Sequence, residues 1–166
     1  MTIDTNDILN SILESLSRID YIHPEDIPNI DLYMDQVTTF MDTQLSSTKR
    51  YADDKILTKT MINNYTKNHV LPSPDKKKYS KDHVLTLILI YYLKSFLSIK
   101  DIQTLLEPIT DKYFGTESEL SFYELYEELV AQGNGQSKAL IKDVIAKYNA
   151  MQNAFSDAPE EDQEFL

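Results

Sequence analysis

From Val84 to Leu93 the chain is apolar at every position except Thr86, and a helix that is apolar nearly all round is stable only when it is buried nearly all round. The run is well short of the roughly 20 apolar residues needed to cross a bilayer. It therefore predicts the central helix of a globular core and no membrane partner. Ser80 stands where it can cap this helix, with His83 in the first turn, and the helix is expected to end around Phe96.

Shorter amphipathic segments flank it. Ile8, Leu9, Ile12, Leu13, Leu16 and Ile19 fall on one helical face behind Thr5, which predicts a helix over 5–18. Pro24 and Pro28 enforce a loop. Asp31 is the expected cap of a second helix carrying Tyr33, Val37, Phe40 and Met41 and ending near Leu45. Residues 46–56 read as a polar linker, and Thr58 can cap a third, short helix reaching Lys67. Ser98 with Asp101 starts a helix containing Ile99, Ile102, Leu105 and Leu106, which Pro108 is expected to terminate. Ser121 with Glu124, or Thr116 with Glu119 one turn earlier, starts the next, with Phe122, Leu125, Tyr126, Leu129 and Val130. Gly133, Asn134 and Gly135 are expected to break it. Ile141, Val144, Ile145, Tyr148 and Met151 then carry an apolar stripe to about Phe155, and the acidic stretch 157–166 reads as disordered.

The segment from Val70 to Tyr79 has a different character. It holds Pro72 and Pro74, lacks a helical period and ends in Lys76, Lys77, Lys78 and Tyr79. A short extended hairpin at a sheet edge, with three lysines on its return limb, is the expected structure.

Charge sharpens that observation. The net charge is −11, which by itself disfavours a polyanionic partner. Between Ser46 and Lys81, however, Lys49, Arg50, Lys55, Lys59, Lys67, Lys76, Lys77, Lys78 and Lys81 face only Asp53, Asp54 and Asp75, nine basic residues against three acidic. The segment is a basic working face on an acidic body. On a helical wheel begun at Leu57, Met61, Ile62 and Tyr65 share one sector, while Lys59, Thr60, Asn63, Asn64, Thr66 and Lys67 fill the opposite side with no acidic residue among them. One face that anchors and one face of Lys, Asn and Thr is what a recognition helix needs: the amide of asparagine pairs with adenine, and lysine reaches guanine or phosphate. Lysines on a following wing add backbone contacts that do not read sequence. The pattern predicts a winged helix-turn-helix whose DNA-binding residues are Lys59, Thr60, Asn63, Asn64, Lys67, Lys76, Lys77, Lys78 and Tyr79.

Leu57 to Tyr65 followed by Val70, Leu71 and Pro72 resembles the recognition helix and following turn of MerR-type regulators. Lys78, Tyr79 and Ser80 resemble that class's wing exit, and Leu97 to Ile102 its next helix start. Residues 31–107 more closely resemble the bacterial domain-of-unknown-function family 1836. The resemblance implies a mainly α, MerR-like winged helix-turn-helix with a small β-hairpin wing, extra N- and C-terminal helices, and dimerisation through the C-terminal helices. Because the chain has no cysteine, thiolate metal sensing is not carried over, and no small-molecule effector is legible.

Catalysis has no visible basis. His23, His69 and His83 are scattered, and there is no glycine-rich phosphate loop or nucleophile motif. His69, at the end of the polar helix, reads as a cap or a phosphate contact, and the carboxylates at Glu124, Glu127 and Glu128 as a solvated face. No enzyme, cofactor or metal site is expected. The absence of cysteine and of a basic apolar leader suits the cytoplasm. The expected organisation is an N-terminal helix and loop (1–28), a winged helix-turn-helix domain (29–108), a C-terminal helical extension (109–156) and an acidic tail (157–166), in a transcriptional regulator that binds duplex DNA. The alternative is a protein-interaction module on the same fold, favoured by the strongly acidic remainder of the chain.

Overall fold

The computed structural model describes residues 5–17, 21–49, 51, 53–116 and 119–152. Ile19, Arg50, the expected helix end at Phe155 and the acidic stretch 157–166 lie outside them. In chain order the elements are α1 (Thr5–Ser17), β1 (Leu32–Tyr33), α2 (Met34–Gln44), α3 (Lys59–Lys67), β2 (Lys78–Tyr79), α4 (Lys81–Leu93), α5 (Ile99–Tyr113) and α6 (Phe122–Gln152). The protein is mainly helical, with one small antiparallel sheet of β1 and β2. Among the described residues no helix is long and apolar enough to cross a membrane. The chain divides into a unit spanning Tyr21–Ala131 and a second made of Met1–Asp20 and Gln132–Leu166.

In the first unit α4 is the buried axis, with every residue from His83 to Ile90 buried. It ends at Leu93, one turn short of the expected Phe96, which is exposed. The faces anticipated from periodicity cover it: Val37 and Met41 from α2, Ile62 and Tyr65 from α3, Ile102 and Leu106 from α5, and Phe122, Tyr126 and Val130 from α6 join one core. Each fully buried aliphatic side chain contributes about 1.5–3 kcal/mol, so this cluster dominates the stability of the unit. Two of the expected capping boxes form at the predicted residues. Ser98 Oγ accepts Asp101 N–H at 3.2 Å, and Ser121 Oγ accepts Glu124 N–H at 3.2 Å while Glu124 Oε2 accepts Ser121 N–H at 2.7 Å.

Four further expectations are corrected. The cap of α2 is Tyr33, not Asp31, because β pairing holds the chain extended through Tyr33, whose N–H is then taken by Gln36 Oε1 at 2.8 Å. The segment from Val70 to Tyr79 does not pair with itself as a full hairpin: Tyr79 and Lys78 pair with Leu32 and Tyr33, and inside the segment only Asp75 bridges Lys78. Pro72 and Pro74 have no N–H to give a ladder, which leaves the strand free for β1. The helix α5 runs through Pro108 to Tyr113. A mid-helix proline costs about 3 kcal/mol, but Ile102 and Leu106 before it and Ile109 and Tyr113 after it pack on the same core, and that shared face holds the helix together. Finally, α6 continues unbroken across Gly133, Asn134 and Gly135; a helical glycine costs about 1 kcal/mol relative to alanine, a penalty too small to stop a helix with apolar residues on both sides.

In the second unit Leu9, Leu13 and Leu16 of α1 and Ile141, Val144 and Tyr148 of α6 are half-buried, whereas Ile8, Ile12, Leu140 and Met151 are exposed.

Candidate nucleic-acid interface

The helix α3 begins where Thr58 Oγ1 accepts the N–H of Met61 at 3.2 Å, satisfying one of the donors that a helix start leaves open. Its inner face is fixed by Leu57, Ile62 and Tyr65, all buried, and the burial of Tyr65 pushes its phenol pKa up. Lys59, Thr60, Asn63, Asn64 and Lys67 are all exposed on the opposite side. At the far end Asn68 is the C-cap and His69 follows at φ 56°. His69 N–H donates to Thr66 O at 3.1 Å and Val70 N–H to Tyr65 O at 2.9 Å, the paired bonds of a Schellman motif with histidine in the place glycine usually takes. The cap expected of His69 is thus made by its backbone.

Lys76 and Lys77 are the central residues of a tight turn closed by Lys78 N–H donating to Asp75 O at 2.7 Å, with φ of 47° and 65°. Two consecutive positive φ values define a type I′ turn, for which Asn and Gly are the usual residues. A left-handed L-residue costs roughly 1–2 kcal/mol, so placing two lysines here is a strained way to build a turn. Both are exposed. Tyr79 is the exception among the candidate residues: it is 3% exposed, meets the edge of the His83 ring at a centroid separation of 5.5 Å, and belongs to the core. It offers no ring to a partner.

The two groups of candidate residues meet at the junction of β1 and α2. Lys78 Nζ lies over the Tyr33 ring, 5.9 Å from its centroid, and two residues further on Asp35 forms an ion pair with Lys59. The turn and the start of α3 therefore both touch the three-residue stretch Tyr33–Asp35. Both partners of the Lys59–Asp35 pair are exposed, so it contributes about 0–1 kcal/mol and yields readily to a competing anion.

Neighbours that the linear sequence did not reveal complete the surface. Lys94, from the residue after α4, donates to the carbonyl oxygen of Ile56 at 2.7 Å and so ties down the approach to α3; burial lowers its pKa. Lys49 pairs with Asp42 at 2.7 Å, and Lys81 Nζ sits 3.5 Å from the centroid of the Tyr123 ring, so these two belong to the local fold. An open groove of about 690 Å³ runs between α3 and α5, lined by Met61, Asn64, Tyr65, Asn68, Ile99, Lys100 and Gln103. No spacing or periodicity points to Lys94, Lys100 and Gln103, because their link to α3 is tertiary. Among the described residues no group of His, Asp or Glu side chains has the arrangement of a metal site.

A family model described as Domain of unknown function (DUF1836) matches residues 22–129, a span that extends the resemblance noted over 31–107 and falls within the unit Tyr21–Ala131. No curated protein and no solved structure matches the chain.

Proposed function

The chain belongs to the DUF1836 family, and we propose that it is a cytoplasmic transcriptional regulator whose MerR-like winged helix-turn-helix docks α3 and the lysine turn on duplex DNA. The observation that carries this is the convergence at Tyr33–Asp35, which brings the start of α3 and the strand leading out of the lysine turn to one place. Lys59, Thr60 and Asn63 would read base edges in the major groove, with Asn64 at its margin. Lys67, Lys76, Lys77 and Lys78 would hold phosphates. Tyr79 supports the base of the turn from inside. No catalytic role is part of this proposal.

A second copy of the chain would associate through the C-terminal helices. The unbroken length of α6 and the exposure of Leu140, Ile145 and Met151 favour such pairing. A protein-interaction role without DNA is the second reading, and the exposed Phe96 and Leu105 beside a strongly acidic remainder favour it.

The test is selection from a random duplex library followed by anisotropy titration of the enriched sequence against a scrambled control. Enrichment of one motif, with Asn63→Ala relaxing the preference, supports the proposal; an unenriched library with no binding at low salt contradicts it.

A further inference from the structure

A capping box normally takes Glu or Gln at its third helical position, reaching back to the N–H of the cap residue. In α4 that position is His83. Its Nδ1 accepts the backbone N–H of Ser80 at 3.0 Å and lies 2.8 Å from the Ser80 hydroxyl. An amide N–H can only donate, so Nδ1 carries no proton and the neutral ring holds its hydrogen on Nε2. Nε2 is buried beside the backbone of Pro72 and Ser73. The ring itself is 5% exposed and is gripped edge-on by Tyr79 of β2 at 5.5 Å and by Phe114, beyond α5, at 4.7 Å between centroids.

We propose that His83 is a pH-sensitive latch that holds the base of the lysine turn against α4 while neutral and loosens it when protonated. Protonation puts a hydrogen on Nδ1, directly against the Ser80 N–H that it now accepts, so the box cannot survive in its present form. Because Ser80 follows Tyr79 and Lys78 directly, the loss falls on the strand that anchors the turn.

The surroundings decide the direction of titration. Asp82 on the same helix and Asp31 ahead of β1 both favour the charged ring, as does the backbone of Pro72 and Ser73. The phenol of Tyr79 is neutral in this range, its pKa pushed up by burial. Burial of the ring outweighs all of these and lowers the His83 pKa below 6.5. With the folded value depressed, the folded protein binds fewer protons than the unfolded chain, so stability is full above about pH 6.5 and falls as the pH drops toward the folded pKa.

Proton NMR of the imidazole of His83, together with amide-exchange protection factors for residues 76–84, tests this between pH 7 and 5 on the full chain, with His83→Gln as comparison. Glutamine keeps an acceptor for Ser80 N–H and cannot be protonated in this range. The expected result is a titration midpoint below 6.5 and a loss of protection at residues 76–84 on acidification that His83→Gln lacks. A midpoint at or above 6.5, or protection that does not change with pH in the wild-type chain, overturns the proposal; the wild-type measurements decide it even if the variant fails to fold.

Discussion

The hydroxyl of Tyr126 on α6 donates to the carbonyl oxygen of Ile22 at 2.7 Å, joining residues 104 positions apart in the chain. On the other side of the same residue, Ile22 N–H donates to Tyr92 Oη at 3.0 Å. Two tyrosines thus satisfy both backbone groups of a buried residue near the start of the family match, one of them close to its end. Tyr126 is almost fully buried, and its phenol pKa is driven far upward by that burial and by neighbouring Tyr92 and Tyr21.

Removing that hydroxyl should be costly. Tyr126→Phe leaves the Ile22 carbonyl buried without its partner, a loss of about 1–3 kcal/mol. Urea denaturation should show a lower midpoint with an unchanged slope, and an unchanged midpoint would mean that the bond contributes nothing net.

The middle of α6 should be improvable. A Cβ added at Gly135 meets nothing within 4 Å, so Gly135→Ala is expected to stabilise the chain by about 1 kcal/mol through helix propensity alone. Circular dichroism melting would register this as a rise in Tm. A fall would show that Gly135 is needed for bending or for close approach of another chain.

The lysine turn should trade stability for binding. Replacing Lys76 and Lys77 by Asn and Gly relieves two left-handed lysines and is expected to raise stability by about 1 kcal/mol or more. On the proposed function the same change weakens DNA binding at all sequences alike. A variant that is more stable and binds as tightly as the wild type would separate the turn from the partner.

Asp35 should act as a brake. It neutralises Lys59 at the head of α3, and a phosphate must displace it before Lys59 is available. Asp35→Asn is expected to tighten DNA binding, most visibly at low ionic strength. Weaker binding in anisotropy titrations would place Asp35 among the groups that touch DNA and not among its competitors.

What was legible in the sequence was mostly local. The caps at Thr58, Ser98 and Ser121 act on residues within one turn, and the two faces of α3 follow from a 3.6-residue period, so both were readable from spacing alone. Pro108 misleads for the opposite reason: its local penalty is real, but packing of Ile102, Leu106, Ile109 and Tyr113 on a core built from distant elements outweighs it, whereas the glycines at 133 and 135 mislead because their penalty is too small to stop α6. The partner of Lys78 and Tyr79 was hidden because it lies at Leu32 and Tyr33, across two intervening helices. The exposure of the candidate side chains follows the wheel and the turn except at Tyr79, which packs against His83 in the core, and the pairing of Lys59 with Asp35 is not readable because the two lie on different helices.

The central claim rests on charge meeting phosphate, and the salt dependence of binding tests it most directly. Anisotropy of a labelled duplex should be measured over a salt series for the wild-type chain and for the Lys76→Ala, Lys77→Ala variant. Binding should weaken steeply with salt, and the variant should show a shallower slope of log K against log salt, by about 0.9 for each phosphate that it no longer neutralises. No binding at the lowest salt, or the same slope in both proteins, would contradict the account.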